Sequence, residues 1–225
     1  MSEASFGEHV EELVSRLKRV GVVFLLLSGL GLYFSPRVLS FLQSDLGVRL
    51  HALASYEVLY TEIMIALVFG LVMSLPVIYF EGLRFLRPGL RSEEYRVLRN
   101  YLPVSAVLFG VGAVFAYRFI VKASLAFFQS STSASEVAAV WGLRNTLGFA
   151  LKLSAFSGVM FQLPIASLVL SRAGLLDREM MVRYRSYFVV LVLFLAAVAT
   201  PPDILSQVLL VLPVLGLYQI SIYLV

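Results

Sequence analysis

The chain has 225 residues, of which 60% are hydrophobic and only 14% are charged, and its mean hydropathy is +0.89. Because soluble domains carry about a quarter charged residues, this composition excludes an ordinary soluble fold and predicts a polytopic membrane protein. We expect one domain over residues 1–225. The net charge of +4 comes from basic residues in short loops between apolar segments, which excludes a nucleic-acid-binding face. The absence of cysteine excludes disulfides, thiolate metal sites and cysteine nucleophiles.

Hydrophobic periodicity predicts an all-α protein that begins with an amphipathic helix over residues 5–18, lying at the cytoplasmic surface and continuing into the first span. No small-residue cleavage site follows the first apolar run, so we expect that span to stay attached. Apolar runs separated by polar turns predict the further spans. The six predicted spans cover approximately residues 20–40, 58–80, 102–121, 147–170, 187–199 and 204–225.

Proline residues and one short apolar run predict irregular spans. Pro36, Pro76 and Pro164 fall at or near the first, second and fourth spans, where we expect bends or an interruption. The fifth span has thirteen residues, which is about 20 Å of helix against a hydrocarbon core of about 30 Å. We therefore predict that the last two helices form a short hairpin, which either thins the bilayer locally or leaves its tip, with Asp203, below the usual outer surface.

The basic residues predict the orientation of the chain. The N-terminal segment and the loops after the second and fourth spans hold three, five and four Lys or Arg residues, twelve of the eighteen in the chain. Under the positive-inside rule, these segments and both termini face the cytoplasm. In the first basic loop, Pro88-Gly89 ends a helix, and Ser92 followed by Glu93 and Glu94 predicts the start of a short helix at the membrane surface.

Residues typical of enzyme sites form no recognisable pattern. His9 and His51 lie outside any H-E-x-x-H motif and on opposite predicted sides of the membrane, and no G-x-S-x-G motif occurs. Lys152 and Ser154 point to different faces of a helix, so they do not predict a catalytic dyad. We therefore expect no enzymatic activity, no catalytic residues, no metal site and no cofactor.

Polar groups inside the spans are functional candidates, because each needs a hydrogen-bond partner in the hydrocarbon. Gln162 lies beside Pro164 and either makes a functional contact or hydrogen-bonds a neighbouring helix or the carbonyl that the proline frees. Tyr117, near the outer end of the third span, is typical of an interface anchor. Asp203 and Gln207 are the polar candidates of the last hairpin.

Two carboxylates lie on the predicted cytoplasmic elements. Glu12 can form an i,i+4 pair with Arg16, and Glu94 can stabilise the first turn of its helix, so each has a structural explanation. Together they suit guanidinium groups, because a carboxylate accepts bidentate arginine bonds. Two carboxylates on different helices could each bind one arginine side chain.

Four motifs occur in order along the chain: Glu8-His9-Val10-Glu11-Glu12-Leu13; Pro76-Val77-Ile78-Tyr79-Phe80 followed by Phe85-Leu86-Arg87-Pro88-Gly89-Leu90 and Glu94; Phe161-Gln162-Leu163-Pro164; and Thr200-Pro201-Pro202-Asp203 with Ser206-Gln207. In this order they resemble the motifs of the TatC family, the receptor subunit of the twin-arginine protein translocase, over nearly the whole chain. Two positions depart from the family pattern. Val14 stands where an arginine is usual, and Gln162 replaces a glutamate, which removes a titratable charge.

The resemblance implies a concave, glove-like bundle of six helices in the cell (plasma) membrane, which binds twin-arginine signal peptides of folded cargo. Glu12, Glu94 and Phe85 fall at the family's signal-peptide positions. The implied partners are single-span subunits of the TatA and TatB type in an oligomeric complex that uses the proton-motive force. A small-solute secondary transporter is the alternative, and it predicts internal repeats, of which no convincing example is visible. An intramembrane protease ranks third, because a nucleophile with a base is lacking.

Overall fold

The structure, a computed structural model, describes residues 3–134, 140–201 and 203–225. Residues 135–139, Pro202 of the Thr200-Pro201-Pro202-Asp203 motif and the side chains of Glu8 and His9 lie outside the described part. The elements in chain order are α1 Glu3–Asp45, β1 Leu50–His51, α2 Glu57–Leu86, α3 Ser92–Asn100, α4 Leu102–Phe115, α5 Lys122–Ala134, β2 Trp141–Gly142, α6 Leu143–Met160, α7 Leu163–Arg172, α8 Arg178–Arg183, α9 Arg185–Ala199 and α10 Ile204–Leu224. A 3₁₀ turn, Arg87–Gly89, precedes α3, and a π-helical segment, Ala116–Val121, joins α4 to α5.

The long helices coincide with the apolar segments of the sequence. In the described part of the chain, five helical segments are long and apolar enough to cross a membrane: Val10–Asp45, Glu57–Leu86, Ser92–Thr132, Leu143–Arg172 and Ile204–Leu224. α9 is also apolar, but its 15 residues rise only about 22 Å, which is less than a hydrocarbon core of about 30 Å. Helices satisfy their backbone groups internally, as a hydrocarbon environment requires.

Two of these segments are divided just before a proline, Pro103 of α4 and Pro164 of α7, whereas three helices contain a proline without a break. α1, α2 and α10 continue past Pro36, Pro76 and Pro213, respectively. The fourth predicted span instead divides into α6 and α7, and Pro164 lies in the first turn of α7, where its missing N–H leaves no hydrogen bond unmade. The prediction that both last helices are short is wrong for α10, which has 21 residues because it stays helical through its proline.

α1 and α2 pack as an antiparallel pair at small residues. A Cβ on Gly70 would lie 2.0 Å from Ser28 Oγ and 2.9 Å from the Ser28 backbone nitrogen, and a Cβ on Gly31 would lie 2.9 Å from the Ala66 carbonyl oxygen. Small residues allow helix backbones to approach closely. Such close packing drives helix association in a bilayer, because lipid tails are as apolar as the side chains. The pair therefore holds the N-terminal part of α1 against the end of α2.

α6 lies in the centre of the bundle, where it contacts α2, α4, α9 and α10. The ring of Phe109 on α4 is fully buried, and it fills the space beside Gly158 of α6, where a Cβ would lie 2.7 Å from the ring. Phe161 fills the corresponding space at Gly112 of α4, at 2.6 Å. These ring-to-glycine contacts fix α4 against α6 where the fourth predicted span divides.

The two ends of the bundle differ in composition. At one end, Leu83, Leu98, Ile165 and Val169 form an apolar cluster that joins α2, α3 and α7, so the arginine-rich loops after α2 and α7 lie together. We call this the basic end. At the other end, β1 and β2 pair in parallel, with Leu50 opposite Trp141, and join the segments that follow α1 and precede α6. We call this the distal end.

Candidate functional site

Glu81, near the end of α2, organises the charges of the basic end. The residue is only 8% exposed, and its Oε2 accepts a hydrogen bond from Arg16 Nη1 at 2.8 Å. Arg19 Nη1 donates to Oε1 at 3.3 Å, and Arg84 Nη1 lies 4.0 Å from that oxygen. A buried charge is costly unless it is paired, so these contacts hold α1 and α2 in one register.

Glu12 lies one helical turn before Arg16 and binds the same guanidinium. Arg16 Nε donates to Glu12 Oε1 at 3.1 Å, and Arg16 Nη2 contacts the same oxygen. The predicted i,i+4 pair is therefore confirmed. Arg16, whose side chain is 14% exposed, bridges Glu81 to Glu12, whose side chain is 38% exposed. Solvent and ligands can therefore reach Glu12 more easily than Glu81.

Glu94 lies in the first turn of α3 and caps that helix. Its Oε2 accepts a hydrogen bond from the backbone nitrogen of Arg91 at 2.9 Å. α3 begins at Ser92, as predicted, but the Glu94 carboxylate, rather than the Ser92 hydroxyl, provides the cap. Phe85, in the last turn of α2, is half-buried. Glu12, Phe85 and Glu94 thus lie on α1, α2 and α3 at the basic end, and no hydrogen bond joins Glu12 to Glu94 within the described residues.

Aromatic rings hold two of the loop arginines. The guanidinium carbon of Arg84 lies 5.1 Å from the centre of the Phe80 ring, and that of Arg87 lies 5.4 Å from the centre of the Tyr95 ring. A ring face attracts a cation, so the rings help to orient these side chains, in the case of Arg84 together with the carboxylate of Glu81. Tyr79 also donates its hydroxyl proton to the carbonyl of Leu98 at 2.8 Å, which ties α3 to α2.

Gln162, at the break between α6 and α7, makes hydrogen bonds to α4. Its Oε1 accepts a hydrogen bond from Ser105 Oγ at 2.6 Å, and its Nε2 donates to the Ser105 carbonyl at 3.1 Å. Nε2 also lies 3.4 Å from the Gly158 carbonyl of the preceding helix. The structural explanation considered from the sequence, a hydrogen bond to a neighbouring helix, is therefore observed.

An apolar groove of about 290 Å³ runs from Gln162 towards the end of α2. Its walls come mainly from α2 and α7 and include Leu75, Ile78, Leu86, Ile165, Ala166 and Val169. Ser105 and Gln162 also line the groove, and they provide most of its polar atoms. The groove therefore reaches Leu86 in the last turn of α2, the turn that also contains Phe85.

The candidate residues of the distal end take part in local networks. Tyr117 donates its hydroxyl proton to Asp45 Oδ2 at 2.8 Å, and Lys122 Nζ lies 2.9 Å from the same oxygen. Arg118 Nη1 lies 4.0 Å from Asp45 Oδ1. Tyr117 therefore connects the π-helical segment to the end of α1.

Asp203 and Gln207 stabilise the last hairpin. Asp203 Oδ1 accepts a hydrogen bond from the backbone nitrogen of Ser206 at 2.7 Å and so caps α10, while its buried Oδ2 has no hydrogen-bond partner among the described residues. Gln207 Nε2 donates to the Leu193 carbonyl of α9 at 3.1 Å. Ser206 Oγ also donates to Ser124 Oγ at 2.7 Å, which connects α10 to α5.

The sequence patterns did not identify three residues of these hydrogen-bond and ion-pair networks: Glu81, Ser105 and Asp45. A signal for Glu81 existed, because an acid at the end of the second span must meet the arginines that begin the first span in an antiparallel hairpin. No local signal marked Ser105 or Asp45, since their partners lie 57 and 72 residues away along the chain.

The fold and this site define a polytopic helical membrane protein with an arginine and carboxylate cluster at one end. The family described as "Sec-independent protein translocase protein (TatC)" matches residues 8–213. The chain belongs to the TatC family. It is therefore a membrane protein of the transport class, a component of the twin-arginine translocase, which acts together with other Tat subunits.

Similar proteins span almost the whole chain. The TatC protein of Listeria innocua is 33% identical over 227 residues, covering 99% of this chain and 92% of that protein. The TatC protein of Aquifex aeolicus is 34% identical over 223 residues, covering 96% of this chain and 92% of that protein. A crystal structure described as the twin arginine translocase receptor TatC superposes with a TM-score of 0.84 at 34% identity, covering 96% of this chain and 97% of that one.

Proposed function

We propose that this protein is the signal-peptide receptor and assembly platform of the twin-arginine translocation system. It binds twin-arginine signal peptides of folded proteins through Glu12 and Glu94, with Phe85 beside them. One observation carries the proposal: Glu12 already binds a guanidinium group, that of Arg16, at the basic end. The word "receptor" in the description of the similar crystal structure supports the same role.

Glu81 makes an exchange of guanidinium groups at Glu12 feasible. When an arginine of the signal peptide replaces Arg16 at Glu12, Arg16 retains its hydrogen bond to Glu81. Leaving a charge buried and unpaired costs far more than exchanging one partner for another. The Arg16 side chain therefore occupies the ligand position in the free protein, and it is not left unpaired when the ligand binds.

Glu94 offers a second carboxylate at the same end. Its Oε2 caps α3, and within the described chain its Oε1 makes no hydrogen bond. That oxygen is available to a second guanidinium. The arginine pair thus meets one acid on α1 and one on α3, and lysine, which lacks the planar fork of arginine, fits such sites less well.

The apolar part of the signal peptide has a complementary surface in the groove between α2 and α7. That groove holds about 290 Å³, and its lining includes Leu86, the residue that follows Phe85 in the chain. Gln162 lies at its far end, where its amide remains hydrogen-bonded to Ser105. A hydrogen-bonded glutamine stays neutral at every pH, so this position does not use protonation.

The proposal includes the arrangement in the membrane. Twelve of the eighteen Lys and Arg residues lie in the N-terminal segment and the two basic loops, which supports a cytoplasmic basic end in the plasma membrane. Arg16 contacts Glu81, and Tyr218 of α10 contacts Met181 of α8, so both terminal helices reach that end. We include α9 as a sixth, short span of a concave, glove-like bundle. In this proposal the protein catalyses no reaction. It assembles with TatA-type and TatB-type subunits in an oligomeric complex.

Photocrosslinking tests this assignment. A photoreactive amino acid at Phe85 or Glu94 should crosslink a signal peptide with paired arginines and should crosslink its paired-lysine variant much less. With the probe at Phe85, Glu94→Gln keeps an acceptor for the α3 cap but removes the charge, so crosslinking should fall about tenfold. Glu93→Gln, at the exposed neighbouring position, serves as the matched control and should leave crosslinking unchanged. Equal crosslinking by Glu94→Gln and Glu93→Gln would count against the role of Glu94.

A further inference from the structure

A groove at the distal end contains two cations and no carboxylate among its lining residues. It holds about 320 Å³ and is bounded by α2, α6 and the end of α9. Arg144, Asn145 and Lys152 of α6 and Thr200 after α9 provide polar groups to its surface. The groove lies away from the arginine and carboxylate cluster of the basic end.

The two cations of the groove are not used in ion pairs. At the same end, Arg118 and Lys122 share Asp45, whereas Arg144 and Lys152 bind no carboxylate within the part of the chain that the structure describes. The guanidinium carbon of Arg144 lies 4.2 Å from the centre of the Tyr60 ring. This contact orients Arg144 along the groove wall and leaves its hydrogen-bond donors for a ligand.

The depth of Lys152 in its span favours an anion beside its ammonium group. Lys152 lies nine residues after Leu143, the first residue of α6, which corresponds to about 14 Å along the helix axis. Its side chain is exposed, so it faces lipid. A lysine in a span extends its charged end towards the headgroups, but its stem covers only part of such a distance.

α9 explains how an anion reaches that depth. Its 15 residues rise about 22 Å, which is about 8 Å less than the hydrocarbon thickness, so lipids beside it must thin. The residues that follow α9, Thr200 and Pro201, line the same groove as Lys152. The headgroup region next to α9 is therefore lowered towards the ammonium group.

We propose that this groove binds the phosphate group of an anionic phospholipid headgroup. Arg144 and Lys152 neutralise the phosphate, and the exposed Asn145 amide is placed to donate a hydrogen bond to the headgroup. The Thr200 hydroxyl, which donates to the Ala196 carbonyl at 2.9 Å, only lines the groove. Arginine and lysine are the side chains that bind phosphate through charge-assisted hydrogen bonds. The bound lipid fixes the groove between α2, α6 and α9 from the membrane side.

The test measures lipid binding to the purified full chain by native mass spectrometry, with phosphatidylglycerol or phosphatidylcholine added in detergent. The double variant Arg144→Gln with Lys152→Gln should bind phosphatidylglycerol about thirtyfold more weakly than the unaltered protein. The matched control, Arg37→Gln with Arg49→Gln, removes the same charge from exposed positions of the same end and should bind as the unaltered protein does. Lys152→Gln alone changes only an exposed side chain, so it remains informative if the double variant does not fold.

Three outcomes would overturn the proposal. The first is an unchanged affinity for phosphatidylglycerol in the folded groove variants, including Lys152→Gln. The second is equal binding of phosphatidylcholine, which would show that the anionic charge of the lipid is irrelevant. The third is displacement of phosphatidylglycerol by millimolar inorganic phosphate, which would identify a site for free phosphate rather than for a lipid.

Discussion

The basic and distal ends use charge in opposite ways. At the basic end, the single buried carboxylate of Glu81 holds Arg16 and Arg19 and lies near Arg84, and Glu12 shares Arg16. At the distal end, the more exposed Asp45 holds Lys122 and Tyr117, while two further cations line a groove without a carboxylate. Under the two proposals made above, the basic end exchanges guanidinium groups, whereas the distal end binds an anionic headgroup.

A direct comparison of the two carboxylates should give the largest effect. Glu81→Ala removes the buried carboxylate that binds the Arg16 side chain, which is only 14% exposed, so we expect the free energy of unfolding to fall by about 3 kcal/mol. Asp45→Ala should cost less, because the Asp45 side chain is 23% exposed and its partners can turn to solvent. Denaturant titration of the purified variants in mixed micelles measures both values.

The exposed Glu93→Ala variant is the control for the loss of an acid at the basic end. A loss of stability at Glu81 no greater than that at Glu93 would show that the Glu81 cluster does not hold α1 to α2. A larger loss at Asp45 than at Glu81 would reverse the comparison of the ends.

A smaller effect is expected between the ends, at Gln162. Gln162→Leu leaves the hydroxyl and carbonyl of Ser105 without their partner, so the free energy of unfolding should fall by about 1 kcal/mol. Ser105→Ala removes the other member of the same hydrogen bond. If the pair is coupled, the double variant should lose less than the sum of the two single losses in the same titration. Strict additivity would exclude a direct contribution from this hydrogen bond.

The smallest effect is expected at Tyr117. Tyr117→Phe removes one hydrogen bond to Asp45, which keeps Lys122, so the loss should be about 0.5 kcal/mol. Tyr187→Phe, at a side chain that is 73% exposed, is the matched control and should leave thermal unfolding unchanged. A loss at Tyr117 as large as that at Asp45 would mean that the hydroxyl, rather than Lys122, dominates this site.

The sequence predicted the helical segments well because hydropathy and helix length are local properties. The division of the fourth predicted span at Pro164 and the short α9 also followed from local features, a missing N–H and a short apolar run. The continuation of α1 through Pro36 was harder to predict, because packing against α2 decides whether a helix bends or breaks at proline. The pairing of β1 with β2 joins segments about 90 residues apart and had no sequence signal.

The sequence pointed to individual candidate residues but not to their arrangement in space. Glu12 and Glu94 were found because each has a helical context, an i,i+4 pair and a first-turn position. Glu81 was missed as the centre of the cluster because its arginine partners lie 62 and 65 residues away. Distances between side chains on different helices depend on how those helices pack, and single-sequence patterns do not contain that information.

The central claim is that carboxylates of the basic end distinguish the arginine pair of an export signal. Its most direct test is the affinity of the purified protein for signal peptides that carry either two arginines or two lysines, with and without Glu12→Gln and Glu94→Gln together. We predict that the unaltered protein binds the arginine peptide at least about tenfold more tightly and that the double variant loses this preference. Equal affinity of the unaltered protein for the two peptides would contradict the claim.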